Sequence, residues 1–427
     1  MIRILRKFFH GILFIAPVFL LFCSENPHEL TVNILENQFT GSVKDTTLFV
    51  VEDTTYLITQ RVSTRSSLRL LIGKAEGLEA RPILRFADFS TVPDTATIDS
   101  AWIKLYADGF ISSATSNLTF RATIYPVDSA WISNTDALWD DIEQNIDRSM
   151  PLGETDITPG DTTEYIFNLN SDGLDLVRFW ADTGTVVGNN AGIYIDFNQA
   201  DFLQYIYAIN PGSGLPDPEL IVAYSIANDT AAYRDTLSAN FDAFIYDGEI
   251  SLMNNRNYVS SLIEYNTLLK FNLREFVNSQ PGEIAIISAN IQVPLDLENS
   301  LVDDKYGLNP QVGIRMISPI DEDNVEVDST AGRFTIISKW AEDSSYVEVN
   351  SNDNRKKLAT LIKDHLNTSG AAEGFVISFL GSTSSSAPLT HPVDFYSYLA
   401  YFSRENVPIE KRARLVITYW IPAESRL

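Results

Sequence analysis

Side chains able to do chemistry are sparse in this chain of 427 residues. Its four histidines, His10, His28, His365 and His391, stand far apart, and none has a partner at metal-ligand spacing. His365 falls at a helical position, where a partly buried or capping role competes with metal binding. No H-E-x-x-H, G-x-S-x-G or glycine-rich phosphate loop occurs. Cys23 is the only cysteine, so no thiol nucleophile and no disulfide framework follow it. Acids number 56, and a pair for glycoside hydrolysis requires a separation in space that sequence does not supply. The expectation is a protein without catalytic activity.

Two acidic clusters remain. Asp136, Asp140 and Asp141 bracket Trp139, and Asp321, Asp323 and Asp328 lie together with Glu322 and Glu326. Oxygen-rich loops suit Ca²⁺, which makes a structural Ca²⁺ the one candidate cofactor. Neither cluster has EF-hand spacing, and a solvated acidic loop is the competing reading. For ligand contact the natural candidates are aromatic rings, which pack on the apolar face of a sugar. Trp131, Trp139 and Trp340 fall in loops or at loop edges, and Tyr396, Tyr398 and Tyr401 cluster before the last strand. Tyr205 and Tyr207 occupy the corresponding stretch of the first half. Such residues also serve in cores with their polar tip satisfied. The formal charge is −25, and removal of the basic leader takes it near −28. A surface this acidic repels phosphate backbones and argues against nucleic acid as a partner.

The elements that must position these groups read as short strands. Ala101, Ile103 and Leu105 alternate with Trp102, Lys104 and Tyr106, and Leu118, Phe120, Ala122 and Ile124 alternate with Thr119, Arg121, Thr123 and Tyr125. Leu415, Ile417 and Tyr419 repeat the period of two, the mark of a half-buried strand. The second half then repeats the first. Ile83-Leu84-Arg85-Phe86 corresponds to Leu268-Leu269-Lys270-Phe271, and Pro126-Val127-Asp128 to Pro319-Ile320-Asp321. Leu176, Phe179 and Trp180 pair with Leu358, Leu361 and Ile362. Pro218-Glu219-Leu220-Ile221-Val222-Ala223-Tyr224 matches Arg412-Ala413-Arg414-Leu415-Val416-Ile417-Thr418-Tyr419 with one residue of slack. Order is kept throughout at a period near 190, which indicates a tandem domain duplication. The predicted fold is all-β, two tandem jelly-roll β-sandwich domains with one short helix each. The predicted division is a signal segment 1–23, a tether 24–44, a first domain 45–227 and a second domain 228–427.

Arg3, Arg6 and Lys7 precede an apolar run over residues 8–22, too short to span a bilayer as a helix and right for a secretory signal. The run ends Leu20-Leu21-Phe22-Cys23-Ser24, which resembles the lipobox of bacterial lipoproteins. Phe22 departs from that motif, which places a small residue before the cysteine. The resemblance implies export and a lipid on Cys23. Ser24 after it implies the outer membrane or cell surface.

The order of motifs also resembles the bacterial and archaeal DNRLRE domain. Ser67-Leu68-Arg69-Leu70-Leu71-Ile72-Gly73 is followed by Ile83-Leu84-Arg85-Phe86-Ala87-Asp88-Phe89-Ser90-Thr91-Val92-Pro93. Then come Ala96-Thr97-Ile98-Asp99-Ser100-Ala101, Trp131, Leu138-Trp139 and the closing Pro218-Glu219-Leu220-Ile221-Val222-Ala223-Tyr224. The second copy lacks a clear L-x-V-G segment and carries an acidic insert. That resemblance implies a jelly roll related to carbohydrate-binding modules, and it favours a structural role for Trp131 and Trp139. The function expected is therefore a non-enzymatic surface lipoprotein that binds polysaccharide or serves the envelope structurally. The alternatives are an adhesion or scaffold component with a surface protein as partner and, third, a glycan-cleaving enzyme.

Overall fold

The computed structural model describes residues 41–57, 64–65, 67–87, 89–112, 118–127, 145–183, 190–210, 214–263, 265–301, 311–316, 334–337, 346–349, 351–367, 374–381, 396–405 and 407–422. The architecture is all-β with few helices. In chain order the first strands are β1 (Gly41–Phe49), β2 (Glu52–Leu57), β3 (Arg69–Ala75), β4 (Leu78–Phe86), β5 (Ala96–Ser112), β6 (Phe120–Pro126), β7 (Gly153–Ile157) and β8 (Glu164–Leu169). Helix α1 (Ser171–Thr183) leads to β9 (Ile193–Phe197), β10 (Phe202–Tyr207), β11 (Glu219–Ile226) and β12 (Ala232–Gly248). Next come β13 (Arg256–Ser260), β14 (Tyr265–Lys270), α2 (Leu273–Asn278), β15 (Ala285–Pro294), β16 (Gln311–Met316), β17 (Phe334–Ile337) and β18 (Tyr346–Glu348). The chain closes with α3 (Asn352–Asn367), β19 (Gly374–Gly381), β20 (Tyr398–Phe402) and β21 (Arg414–Pro422).

Period-two sequences become strands with one buried face. In β5, Ile98, Ala101, Ile103 and Leu105 are buried, while Trp102, Lys104 and Tyr106 stay partly exposed. Both helices expected from the apolar stripes are present. Helix α1 buries Val177, Trp180 and Ala181 in the core of the first body. Helix α3 buries Leu358, Ala359 and Ile362 in the core of the second. Phe179 lies on the outer side of α1, 47% exposed.

The repeat is visible in the pairing register. Leu84 pairs with Ile193 in the first half, and its counterpart Leu269 pairs with Phe375 in the second. Lys104 pairs with Ile166 as Gln292 pairs with Glu348. Arg69 pairs with Tyr207 as Arg256 pairs with Phe402. Each of those arginines holds a buried aspartate, Arg69 with Asp108 and Arg256 with Asp296. Arg256 and Asn299 hold the Asp296 carboxyl below its ordinary range, although burial alone would raise it.

The pairing departs from the expected division at residue 228. Strand β12 stays with the first body, where Leu237 faces Leu220 and Asp242 faces Leu84. Strands β1 and β2 join the second body, where Leu48 faces Leu415 and Asp53 faces Leu269. Leu415 and Leu269 are the repeat counterparts of Leu220 and Leu84, so the two exchanged segments occupy equivalent slots in equivalent register. The first strand of each sequence unit thus completes the other unit. A short turn accompanies the first exchange. Asn228 adopts a left-handed φ of 69°, Asp229 N–H donates to Ile226 O at 3.0 Å, and β12 folds straight back on β11. The slot in the second body is then filled from residues 41–57. Strand β1 also begins inside the segment expected to be a tether.

The two bodies meet at the β3–β4 turn. Glu76 and Gly77 both have positive φ, 50° and 82°, the conformation of a tight hairpin turn. A side chain at Gly77 would meet the Glu249 carbonyl, so the close approach there requires glycine. Tyr258, Leu262, Ile263, Tyr265, Tyr396 and Ala400 from the second half pack into the first core at this junction. No helix among the described residues is long and apolar enough to cross a membrane.

Candidate functional site

Most residues expected to carry a site lie outside the described residues. These are Cys23, Trp131, Trp139 and Trp340, and the candidate Ca²⁺ ligands Asp136, Asp140, Asp141, Asp321, Asp323 and Asp328. Among the described residues no group of three or more His, Cys, Asp or Glu side chains is arranged to hold a metal.

The tyrosine cluster is described, and its placement corrects the expectation of a ligand platform. Tyr396 is fully buried and Tyr401 is 2% exposed, so neither ring presents a free face. The Tyr396 hydroxyl donates to the Glu76 carbonyl at 2.8 Å, and the Tyr398 hydroxyl donates to the Glu76 carboxylate at 3.2 Å. Tyr398 also lies against Tyr258 and Tyr396, with ring centroids 6.3 and 6.0 Å apart. Burial, reinforced by neighbouring tyrosine and Glu76 groups, raises the Tyr396 and Tyr398 hydroxyls far above their usual titration range. The cluster is packing between the two bodies. Tyr205 is likewise buried, and its hydroxyl accepts the Tyr396 N–H at 3.3 Å.

One described surface that places aromatics beside polar groups is the outer face of the β12–β11–β5–β8 sheet. Side chains alternate along β5, so Trp102, Lys104 and Tyr106 share this face. Cross-strand pairing adds Glu219 and Ile221 from β11, Ile166 and Glu164 from β8, and Thr236 and Arg234 from β12. Trp102 and Tyr106 stand four residues apart, about 13 Å along the strand. The Tyr106 hydroxyl donates to Glu219 at 2.8 Å. Lys104 Nζ lies 2.8 Å from Glu164 and 4.8 Å from the Tyr106 ring centre. The Glu164 hydrogen bond raises the Lys104 ammonium above its ordinary range, and partial burial and Glu219 raise Tyr106. The Arg234 guanidinium sits 4.8 Å over the Trp102 ring. Ile221 is buried beneath this layer, while Ile166 remains 41% exposed. The result is a shallow strip of ring and methyl surface fringed by charges of both signs. These residues stand at the polar positions of the strand pattern, the one sequence signal that marks them.

The corresponding face of the second body differs. Asn290 and Gln292 replace Trp102 and Lys104, and both donate to Glu348, at 3.1 and 2.9 Å. Arg414 donates to Gln292 at 2.7 Å and lies 5.3 Å over the Tyr346 ring. Polar side chains there bond one another, and the β15 positions carry no ring.

No family model matches the chain. No curated protein matches it. Among solved structures it is similar to the infectious bursal disease virus VP2 subviral particle, at 10% identity over 90% of this chain and 77% of that one, with a TM-score of 0.13. It is also similar to the Macrobrachium rosenbergii nodavirus, at 11% identity over 90% of this chain and 91% of that one, with a TM-score of 0.14. Likenesses at these scores establish neither a shared fold nor a shared role.

Proposed function

We propose that the chain is a non-enzymatic binding protein of the bacterial envelope, built from two DNRLRE-like jelly-roll bodies, whose first body takes polysaccharide on the Trp102–Tyr106 face. The observation that carries this reading is the pair of rings on one strand face, flanked by Glu219, Glu164, Lys104 and Arg234. Ring faces pack on the apolar side of a pyranose, and the charged fringe can hydrogen-bond its hydroxyls. The polar network at the Asn290 and Gln292 positions of the second body favours the first body as the binding one. A diacylated Cys23 would hold the protein at the outer membrane. The mass of the mature amino terminus tests that part, and an unmodified or absent Cys23 rejects it.

Affinity electrophoresis of the full chain in gels cast with soluble polysaccharides tests the binding. Retardation is expected with at least one polymer. Trp102→Ala and Tyr106→Ala should each weaken it about tenfold, while Asn290→Ala leaves it unchanged. No retardation in any gel, or equal retardation of all variants, rejects the proposal.

A further inference from the structure

The exchange of first strands poses a selection problem. Segments 41–57 and 232–248 fit equivalent slots in equivalent register, so backbone pairing alone does not tell them apart. The side chains that face each slot do. In the first body Phe244 of β12 is fully buried, with Leu70 and Ile206 fully buried and Pro82 buried at its pairing position. The counterparts in the second body are all polar. Thr55 stands for Phe244, Asn257 for Leu70, Thr267 for Pro82 and Tyr401 for Ile206, as the paired registers dictate.

Asn257 Oδ1 and Thr267 bond through Thr55, while Asn257 Nδ2 and the Tyr401 hydroxyl do not. The Thr55 hydroxyl accepts the Tyr258 N–H at 2.9 Å and donates to Asn257 Oδ1 at 3.2 Å, with Thr267 Oγ1 3.4 Å away. The Thr267 hydroxyl donates to Tyr258 O at 2.9 Å. Asn257 is 4% exposed, Thr267 fully buried and Tyr401 2% exposed. Unpaired polar groups at that depth destabilise. A phenylalanine in the Thr55 position would strip Asn257 and the Tyr258 N–H of their partner. A threonine in the Phe244 position would bury its side chain against Leu70 and Ile206 and leave space unfilled.

We propose that the Thr55–Asn257–Thr267 network is an address: it makes the second body an acceptor groove for a strand with threonine at this inward position, and so assigns residues 41–57 to that body rather than to the first. Discrimination arises from repulsion of the wrong strand as much as from attraction of the right one. The aspartates Asp53 and Asp242 occupy equivalent positions on the two strands and do not distinguish them.

Crosslinking in the full chain carrying Cys23→Ser tests the address. Thr47 pairs with Val416, whose repeat counterpart in the first body is Ile221. With a short bis-maleimide, Thr47→Cys/Val416→Cys should crosslink and Thr47→Cys/Ile221→Cys should not. Exchanging the code with Thr55→Phe plus Phe244→Thr should cut the 47–416 product severalfold and raise 47–221. Because that variant risks misfolding, Thr55→Ser and Thr55→Val give a second reading. The serine should leave the thermal midpoint near that of the parent, and the valine should lower it by about 2–4 °C. A 47–221 crosslink in the parent chain overturns the proposal. So does an unchanged 47–416 yield after code exchange, or valine and serine variants of equal stability.

Discussion

Asp242 is the described carboxyl whose setting most alters its chemistry. It is 6% exposed on β12, and its carboxylate accepts the Ile209 N–H. Burial pushes it up to about 7, against the lowering effect of that hydrogen bond and with a further push from the charge of Asp217. Asp53, its counterpart, accepts the Arg404 N–H at 2.8 Å and the Ser403 hydroxyl at 3.2 Å, and burial raises it too. For Asp242 the folded value lies above the unfolded one near 3.9, so the folded state holds the proton more tightly. Its contribution to stability is complete below pH ~4 and is lost as pH rises to about 7. A shift of this size corresponds to roughly 4 kcal/mol. Asp242→Asn, which keeps an acceptor for Ile209, should remove this slope. Urea midpoints of parent and variant at pH 4, 5, 6 and 7 check it, and a constant difference across the series would sink the assignment. None of this was legible in the sequence, where Asp242 is one of 56 acids and its burial depends on a partner strand more than 150 residues away.

At the scale of elements the sequence was more informative. Alternation placed β5, β6 and β21, and helical stripes placed α1 and α3, because these patterns record which side of a single element faces the core. The same alternation contained Trp102 and Tyr106, but it could not say which neighbours would stand beside them. Glu219 comes from β11, Glu164 from β8 and Arg234 from β12, each fixed by long-range pairing. The tyrosines near residue 400 were misleading for the same reason. A run of rings reads alike whether it lines a surface or fills a junction, and the Glu76 turn that covers Tyr396 and Tyr398 comes from the other half of the chain.

For the whole molecule, the exchange makes the two bodies interdependent. A protease site inserted at residues 251–254, cut in the folded full chain, should leave two fragments that co-elute in gel filtration, because residues 41–57 remain seated between β21 and β14. Fragments that separate under native conditions would show that the strand does not hold the bodies together. By itself the sequence determined the all-β class, the repeated order of its segments, helices α1 and α3 and the absence of recognisable catalytic motifs. Those properties are written in local periodicity and composition, which each segment carries on its own. Only the tertiary structure decided which body receives which first strand. Both segments offer the same strand period and the same register, and the choice between two equivalent slots rests on buried side chains that meet only once the chain has folded.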